Sequence, residues 1–412
     1  MKNIIKMSFR NLLRSGRRTV LTASLITIGV MFVLVYAALS GSFKEYMVGQ
    51  VTDSMLGHIQ IHKKGYVASV DNLPLDKNLN EKQVGIITNL LDKNKFVESY
   101  TFRLKLGTMF SNYVASTGIR LNGIDPDNEA KTLPLFSSRL NGIDTTSLKE
   151  GYILVPELIA KGMNVKKDDT VVLVATNQKG SVNGMNFKVA GMIEPISGPG
   201  GRDGYIHIKD VKKLLRLSEV EVSEVVIRLK DASNLENAMK LLKPLTEFKN
   251  QKGKPVFEVH SWKKLSPFYN IVKMLDIMDM SIKIILISIV LISILNVMVM
   301  SVYERIKEIG TIAAMGTTPS TITKLFLTEG LMLGIFGAIV GSFISFIIVF
   351  IINSVGVTFS FGRQDGLTLN PTLSLNEVLV VGVIVILISL IASISPARKA
   401  AKLNPVDALR QN

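Results

Sequence analysis

The sequence contains no cysteine, which excludes disulfide frameworks, zinc–cysteine sites, iron–sulfur clusters and thiol nucleophiles together. Charge is scarce too: of 412 residues 20% are charged against 47% hydrophobic, with mean hydropathy +0.33. A soluble chain of this length carries more charge, so the composition points to a membrane protein and excludes dominant disorder. Acids are the scarcer sign, 33 against 48 Lys and Arg. No G-x-x-x-x-G-K-[ST] sequence occurs, which excludes ATP binding through a Walker A loop. The cluster Gly198, Gly200, Gly201 and Gly204 lacks the following helix that phosphate binding needs, and reads as a connection between strands. Neither a hydrolase triad nor paired catalytic carboxylates stand out, so no enzymatic activity is expected of this chain.

What is present is four uncharged runs, 19–43, 284–303, 330–353 and 378–397. A helix needs about 20 residues to cross a ~30 Å hydrocarbon core, so each run reads as a span. Small residues at 38–40 resemble a signal-peptide cleavage site, but secretory apolar regions run about 7–15 residues and this one is longer. An uncleaved anchor is expected. Lys2, Lys6, Arg10, Arg14, Arg17 and Arg18 precede the first run with no acid, and Arg398, Lys399, Lys402 and Arg410 follow the last against Asp407 alone. The positive-inside bias places both termini of a multi-pass membrane protein in the cytoplasm. No dense basic stripe with interleaved aromatics appears, which disfavours nucleic acid; topology and attraction to membrane lipid account for the positive balance.

The fold class expected is four transmembrane α-helices with a large α+β extracytoplasmic domain between helices 1 and 2, which the resemblance given below makes periplasmic. The parts are a cytoplasmic amphipathic N-terminus (1–18), span one (19–43), the periplasmic domain (44–275) and span two (281–303). A cytoplasmic helical loop (304–318), span three (319–353), a short outer loop (354–375), span four (376–396) and a tail (397–412) follow. Within the domain, period-2 runs predict strands at 57–62, 100–106, 119–124, 152–155, 170–176, 186–193, 205–208, 224–229 and 256–261. Helical spacing is read at 81–93, with Val84, Ile87, Leu90 and Leu91 on one face, and at 233–245, with Ser233 as N-cap. Two strand–helix–strand units, 57–106 and 224–262, predict a split βαβ subdomain around a strand-rich insert at 110–220.

His58 and His62 tempt a metal assignment. Four residues of strand span about 13 Å, too far to share one ion, so a polar outer face is expected instead. His207 and His260 read as isolated. In the loop after span two, Ile306, Ile309 and Ala313 share one helical face, with Met315 near the end and Glu304, Lys307, Glu308 and Thr311 opposite. Gly316 reads as its stop, and Thr318-Pro319 as the cap and first residue of the next helix. Gly330, Gly334, Gly337 and Gly341 allow close helix packing, and Asn296 is expected to bond a neighbouring helix.

These residues resemble a known family. Glu304-Arg305, Glu308-Ile309-Gly310 and Met315-Gly316, followed by Ile322 and Phe326, are similar to the signature of FtsX-like ABC permeases. So are the opening Arg10-Asn11-Leu12-Leu13-Arg14 and the closing Pro396-Ala397, Ala400, Pro405 and Ala408-Leu409-Arg410. The resemblance covers the whole chain and implies the MacB/Lol mechanotransmission (type VII) class. It implies that Glu304, Arg305, Glu308, Gly310, Met315 and Gly316 contact a LolD- or MacB-type ATPase dimer, which binds ATP and Mg while this chain binds no cofactor or metal. It further implies a second permease copy or paralogue.

The stretch 57–62 and the runs 187–191 and 203–205 look similar to the lipoprotein-releasing Lol permeases, LolC and LolE. A chain beginning 18 residues before span one suits the Lol arrangement with a separate ATPase. The segment 177–186 is short where the carrier-recruiting Lol subunit has a long hairpin, so recruitment of a periplasmic lipoprotein carrier is not assumed. The leading expectation is ATP-driven release of lipoproteins from the inner membrane, with Leu39, Phe43, Met47, Met278 and Ile282 sheltering lipid. The rivals are MacB-like efflux of peptides or toxic compounds through a periplasmic adaptor, and an FtsX-like scaffold that activates a cell-wall hydrolase.

Overall fold

Among the described residues, four helices are long and apolar enough to cross a membrane: Thr19–Leu56, Phe268–Glu304, Pro319–Val355 and Leu375–Ala401. The computed structural model describes residues 2–14, 16–140, 143–194, 202–219, 221–361 and 364–404. Pro405, Ala408, Leu409 and Arg410 of the closing motif, and Gly198, Gly200 and Gly201 of the glycine cluster, lie outside them. The chain divides into a membrane unit, Met1–Glu45 with Lys273–Asn412, and an outer unit, Tyr46–Val272. It opens with α1 (Lys2–Arg14) and α2 (Gly16–Val51), which a π turn continues at Thr52–Leu56.

The outer unit runs β1 (Ile59–Lys63), α3 (Glu81–Leu91), β2 (Val97–Ser111), β3 (Ser116–Ile124), α4 (Pro126–Thr132) and α5 (Leu135–Ser138). Next come β4 (Tyr152–Pro156), α6 (Glu157–Gly162), β5 (Thr170–Thr176), β6 (Val182–Ile193), β7 (Asp203–His207) and α7 (Ile208–Leu215). It finishes with β8 (Glu224–Leu229), α8 (Leu235–Leu241), α9 (Lys243–Glu247), β9 (Phe257–Ser261) and α10 (Trp262–Leu265).

The fifteen-residue β2 serves two assemblies. Its first half pairs with β8, and β8–β1–β9 completes an antiparallel sheet in the order of a split βαβ unit. Its second half bonds β3 on one side and β5 on the other, which closes β2–β3–β7–β4–β6–β5 into a ring. Leu104, Phe110, Leu121, Val155, Leu173 and Phe187 build one buried apolar cluster of the ring strands. In the sheet, Ile59, Ile61, Val225, Ile227 and Phe257 are buried against Ile87, Leu91, Leu235 and Leu242 of the α3, α8 and α9 region.

The other face of that sheet corrects the reading of His58 and His62. Alternation does put them opposite Ile59 and Ile61, but the face is covered: His58, Gln60, His62, Arg103, Glu224, Glu258 and His260 are all buried. His58 Nδ1 accepts from the Leu229 N–H at 3.2 Å, and burial pushes its pKa down. His62 stacks on Tyr66 at 5.2 Å and lies 3.7 Å from Glu224. His260 is not isolated, with Glu258 at 3.6 Å. His207 Nδ1 caps α7 by accepting from the Lys209 N–H.

Arg103 anchors this polar layer where β2 passes from sheet to ring. It donates to Glu129 at 2.6 and 2.8 Å, to Glu224 at 3.0 Å and to the Met55 carbonyl at 2.7 Å, and Lys105 also reaches Glu224 at 2.8 Å. Burial alone would raise Glu224, but Lys105, His62 and Arg103 outweigh it and hold the carboxyl well below the usual range. Two further details differ from the sequence reading. Asp231, not Ser233, supplies the cap before α8, accepting from the Ser233 N–H at 2.8 Å. The strand-rich insert also carries the short helices α4 to α7, whose few turns are too brief to show a helical period.

In the membrane unit, α11 (Phe268–Glu304), α12 (Ile306–Ala314), α13 (Pro319–Val355) and α14 (Leu375–Ala401) join α1 and α2. Thirty-seven residues of α13 rise about 55 Å, more than the ~30 Å hydrocarbon core requires. A core of Ile26, Val30, Leu34, Val290, Ile294, Leu333, Val385 and Ala392 holds the bundle. Between α13 and α14, where a short outer loop is expected, β10 (Thr358–Phe361) and β11 (Gln364–Thr368) pair antiparallel.

Candidate functional site

The loop after α11 is built by backbone rules. At Arg305 the backbone leaves the α region (φ −107°, ψ 17°), which separates α11 from α12. Met315 closes α12, and Gly316 follows at φ +90°, a conformation that glycine adopts without a Cβ penalty. Thr318 in an extended conformation and Pro319 then begin α13.

The faces of α12 separate cleanly. Ile306, Ile309 and Gly310 are buried, and Ile309 joins Val302, Ile322 and Phe326 in one core. Glu304, Lys307, Glu308, Met315 and Gly316 face outward, with Met315 74% exposed. Arg305 is turned inward instead. Its guanidinium sits over the Phe326 ring at 5.7 Å and donates to Glu308 at 3.0 Å and to Glu329 at 2.9 Å. Of the six residues singled out in the loop, four are therefore exposed, Gly310 is buried, and Arg305 is tied to Glu308 and Glu329.

The four glycines of α13 fall on two neighbours. A Cβ on Gly330 or Gly334 would strike Ser393 or Ser389 of α14; one on Gly337 or Gly341 would strike Ile26 or Val30 of α2. Asn296 is exposed on the surface of α11.

The five residues expected to shelter lipid differ in exposure. Leu39 and Phe43 are half-buried, and Phe43 packs on Phe359 at 5.9 Å. Met278 is exposed and Ile282 half-buried, whereas Met47 is buried and belongs to the outer unit. Lys44 pairs with Asp276, which joins α2 to α11 just beside Phe43. An apolar groove of about 690 Å³ opens elsewhere, between α1, α2 and α13, lined by Phe9, Leu12, Val20, Leu333 and Phe336. Sequence reading missed it because its walls come from segments three hundred residues apart. Among the described residues, no group of three or more His, Cys, Asp or Glu could hold a metal ion.

Comparison with known proteins accords with this architecture. Residues 19–245 match the MacB-like periplasmic core domain, and residues 280–405 match the FtsX-like permease C-terminal family. An uncharacterized ABC transporter permease of Methanocaldococcus jannaschii is 24% identical over 422 residues, covering 99% of this chain and 98% of that protein. The lipoprotein-releasing system transmembrane protein LolC of Neisseria meningitidis is 21% identical over 416 residues, 95% of this chain and 94% of its own. The macrolide export ATP-binding/permease protein MacB of Bdellovibrio bacteriovorus is 28% identical over 237 residues, 56% of this chain but 35% of its own length. The chain therefore belongs to the MacB/FtsX family of ABC-transporter permeases, as a non-catalytic, multi-pass inner-membrane component of the mechanotransmission type with a large periplasmic domain.

Proposed function

We propose that this permease exports peptides or toxic small compounds from the periplasmic face, driven by a partner ATPase dimer that binds ATP and Mg and docks on α12. The observation that carries this reading is the MacB-like periplasmic core, which matches over 19–245. The exposed Glu304, Glu308, Met315 and Gly316 would meet the ATPase, and the buried Ile306 and Ile309 would pass its motion into the span helices. A second permease copy or paralogue would cover Asn296, because an amide facing hydrocarbon costs several kcal/mol, by order of magnitude. Cargo would leave through a periplasmic adaptor.

A second reading is supported by the alignment with LolC, which extends over 95% of this chain: release of lipoproteins from the inner membrane. Extraction then has to overcome about 0.8 kcal/mol per buried CH₂, which makes unaided release slow. Leu39, Phe43, Met278 and Ile282 of the membrane unit would shelter the acyl chains.

Purification of the tagged chain in mild detergent, with mass spectrometry of what it retains, separates the two. An ATPase with a periplasmic adaptor and no lipoprotein supports export. An ATPase with acylated lipoproteins refutes export in favour of release. Aspartates at Leu39, Phe43 and Ile282 should then abolish release and leave ATP hydrolysis in place.

A further inference from the structure

Glu329 belongs to none of the motifs read from the sequence. In the structure its carboxylate is 2% exposed and gathers three elements. Its Oε1 accepts from Arg305 Nη1 at 2.9 Å, at the corner between α11 and α12, and from Asn11 Nδ2 of α1 at 3.0 Å. The network closes on itself. Arg305 Nε donates to Glu308 of α12 at 3.0 Å, and Glu308 lies 3.5 Å from Arg14, one helical turn beyond Asn11 on α1. A separate bond from Ser8 Oγ to the Leu325 carbonyl, 3.2 Å, pins α1 to α13 again.

We propose that Glu329 is a positioning residue for energy coupling: it locks the corner of the ATPase-facing helix and the N-terminal helix onto α13. With the lock in place, a push on the exposed end of α12 moves α13 and α1. Without it α12 pivots about Arg305, and the stroke is lost in rotation. This proposal rests on the reading of α12 as the ATPase contact. The chemistry suits the role. A guanidinium-to-carboxylate hydrogen bond is among the strongest available and is directional, and its shielding from water keeps it from being screened.

The test uses the full chain with its ATPase in lipid nanodiscs. Because the chain has no cysteine, Ala314→Cys and Lys324→Cys give two unique spin-label sites on exposed positions of α12 and α13, outside the residues read as the ATPase contact. Pulsed EPR should show a narrow distance distribution that broadens with Glu329→Leu; an unchanged distribution overturns the proposal. Glu329→Leu should also lower permease-dependent stimulation of ATP hydrolysis about tenfold, the loss expected for a charge-assisted hydrogen bond.

The double variant Arg305→Met with Glu329→Leu separates positioning from mere stability. Removing both charges leaves no lone buried ion, so the melting temperature lost in either single variant should return. The broad distribution and the weak stimulation should persist; recovery of all three would show a purely structural pair and overturn the proposal. Broadened distances with full stimulation would overturn the coupling role of Glu329, whereas full stimulation and full ATPase retention by Met315→Asp as well would remove the ATPase from α12.

Discussion

Gly341→Ala probes the packing of α13 on α2. A Cβ at this position lies 2.7 Å from Val30 Cβ, 2.9 Å from Val30 Cγ1 and 2.9 Å from the Thr27 carbonyl oxygen. None of these is the loose end of a flexible side chain. Valine is stiff at χ1, and the carbonyl belongs to the backbone of α2. Relief therefore requires the two helices to part by roughly 0.6 Å or more to regain ordinary contact. Overpacking typically costs about 1–3 kcal/mol, and a forced backbone shift belongs at the upper end.

Alanine also gains about 1 kcal/mol of helix propensity over glycine, so the net loss should be about 2 kcal/mol. Gly382→Ala is the control, because nothing lies within 4 Å of a Cβ there. It should show only the propensity gain, about 1 kcal/mol of the opposite sign. At about 2–4 °C per kcal/mol for a unit of this size, the two variants should melt roughly 6–12 °C apart in one detergent. Equal midpoints, or a lower one for Gly382→Ala, would refute the close approach of α2 and α13.

Met315→Asp, a change on exposed surface, should leave the chain inserted and folded yet reduce co-purification of its ATPase; full retention would remove Met315 from the contact. Arg103→Met strands Glu129 in the buried layer, leaves Glu224 to Lys105, and should destabilise the outer unit by about 3–5 kcal/mol, read as faster limited proteolysis of the domain in the full chain. Acidification should weaken the same unit. Burial lowers His58 and His260 below their ordinary 6.5, so the unfolded chain binds protons that the folded one refuses, and stability falls as pH drops below about 6.5. Glu224 and Glu258, held below the ordinary 4.5, add to the loss below about pH 4.5, while Asp203, raised by burial, works against it. Thermal midpoints of the outer unit that rise between pH 7 and pH 5.5 would contradict the buried, neutral histidines.

The sequence determined what depends on neighbours along the chain. Four apolar runs set four helices that can span a membrane, and alternation at 57–62, 170–176 or 224–229 set strands, because side-chain period is a local property of the backbone. The cap pair Thr318-Pro319 and the stop at Gly316 fixed the ends of helices for the same reason. Which face of a strand is buried is not local. His62 and Glu258 were polar letters in an alternating run, and only the chain folded over them makes that face interior. The closure of β2 through β5 into a ring depends on one long strand bonding partners far away in sequence.

At the candidate site, the exposed side of α12 was legible from its helical spacing. The inward turn of Arg305 was not, because its partner Glu329 stands 24 residues away, and Glu329 is held in turn by Asn11, 318 residues from it. Hydrophobic period tells each segment which side to bury, but the pairing of charges across segments is decided only when packing excludes water and leaves a buried ion the choice of a partner or a large desolvation cost.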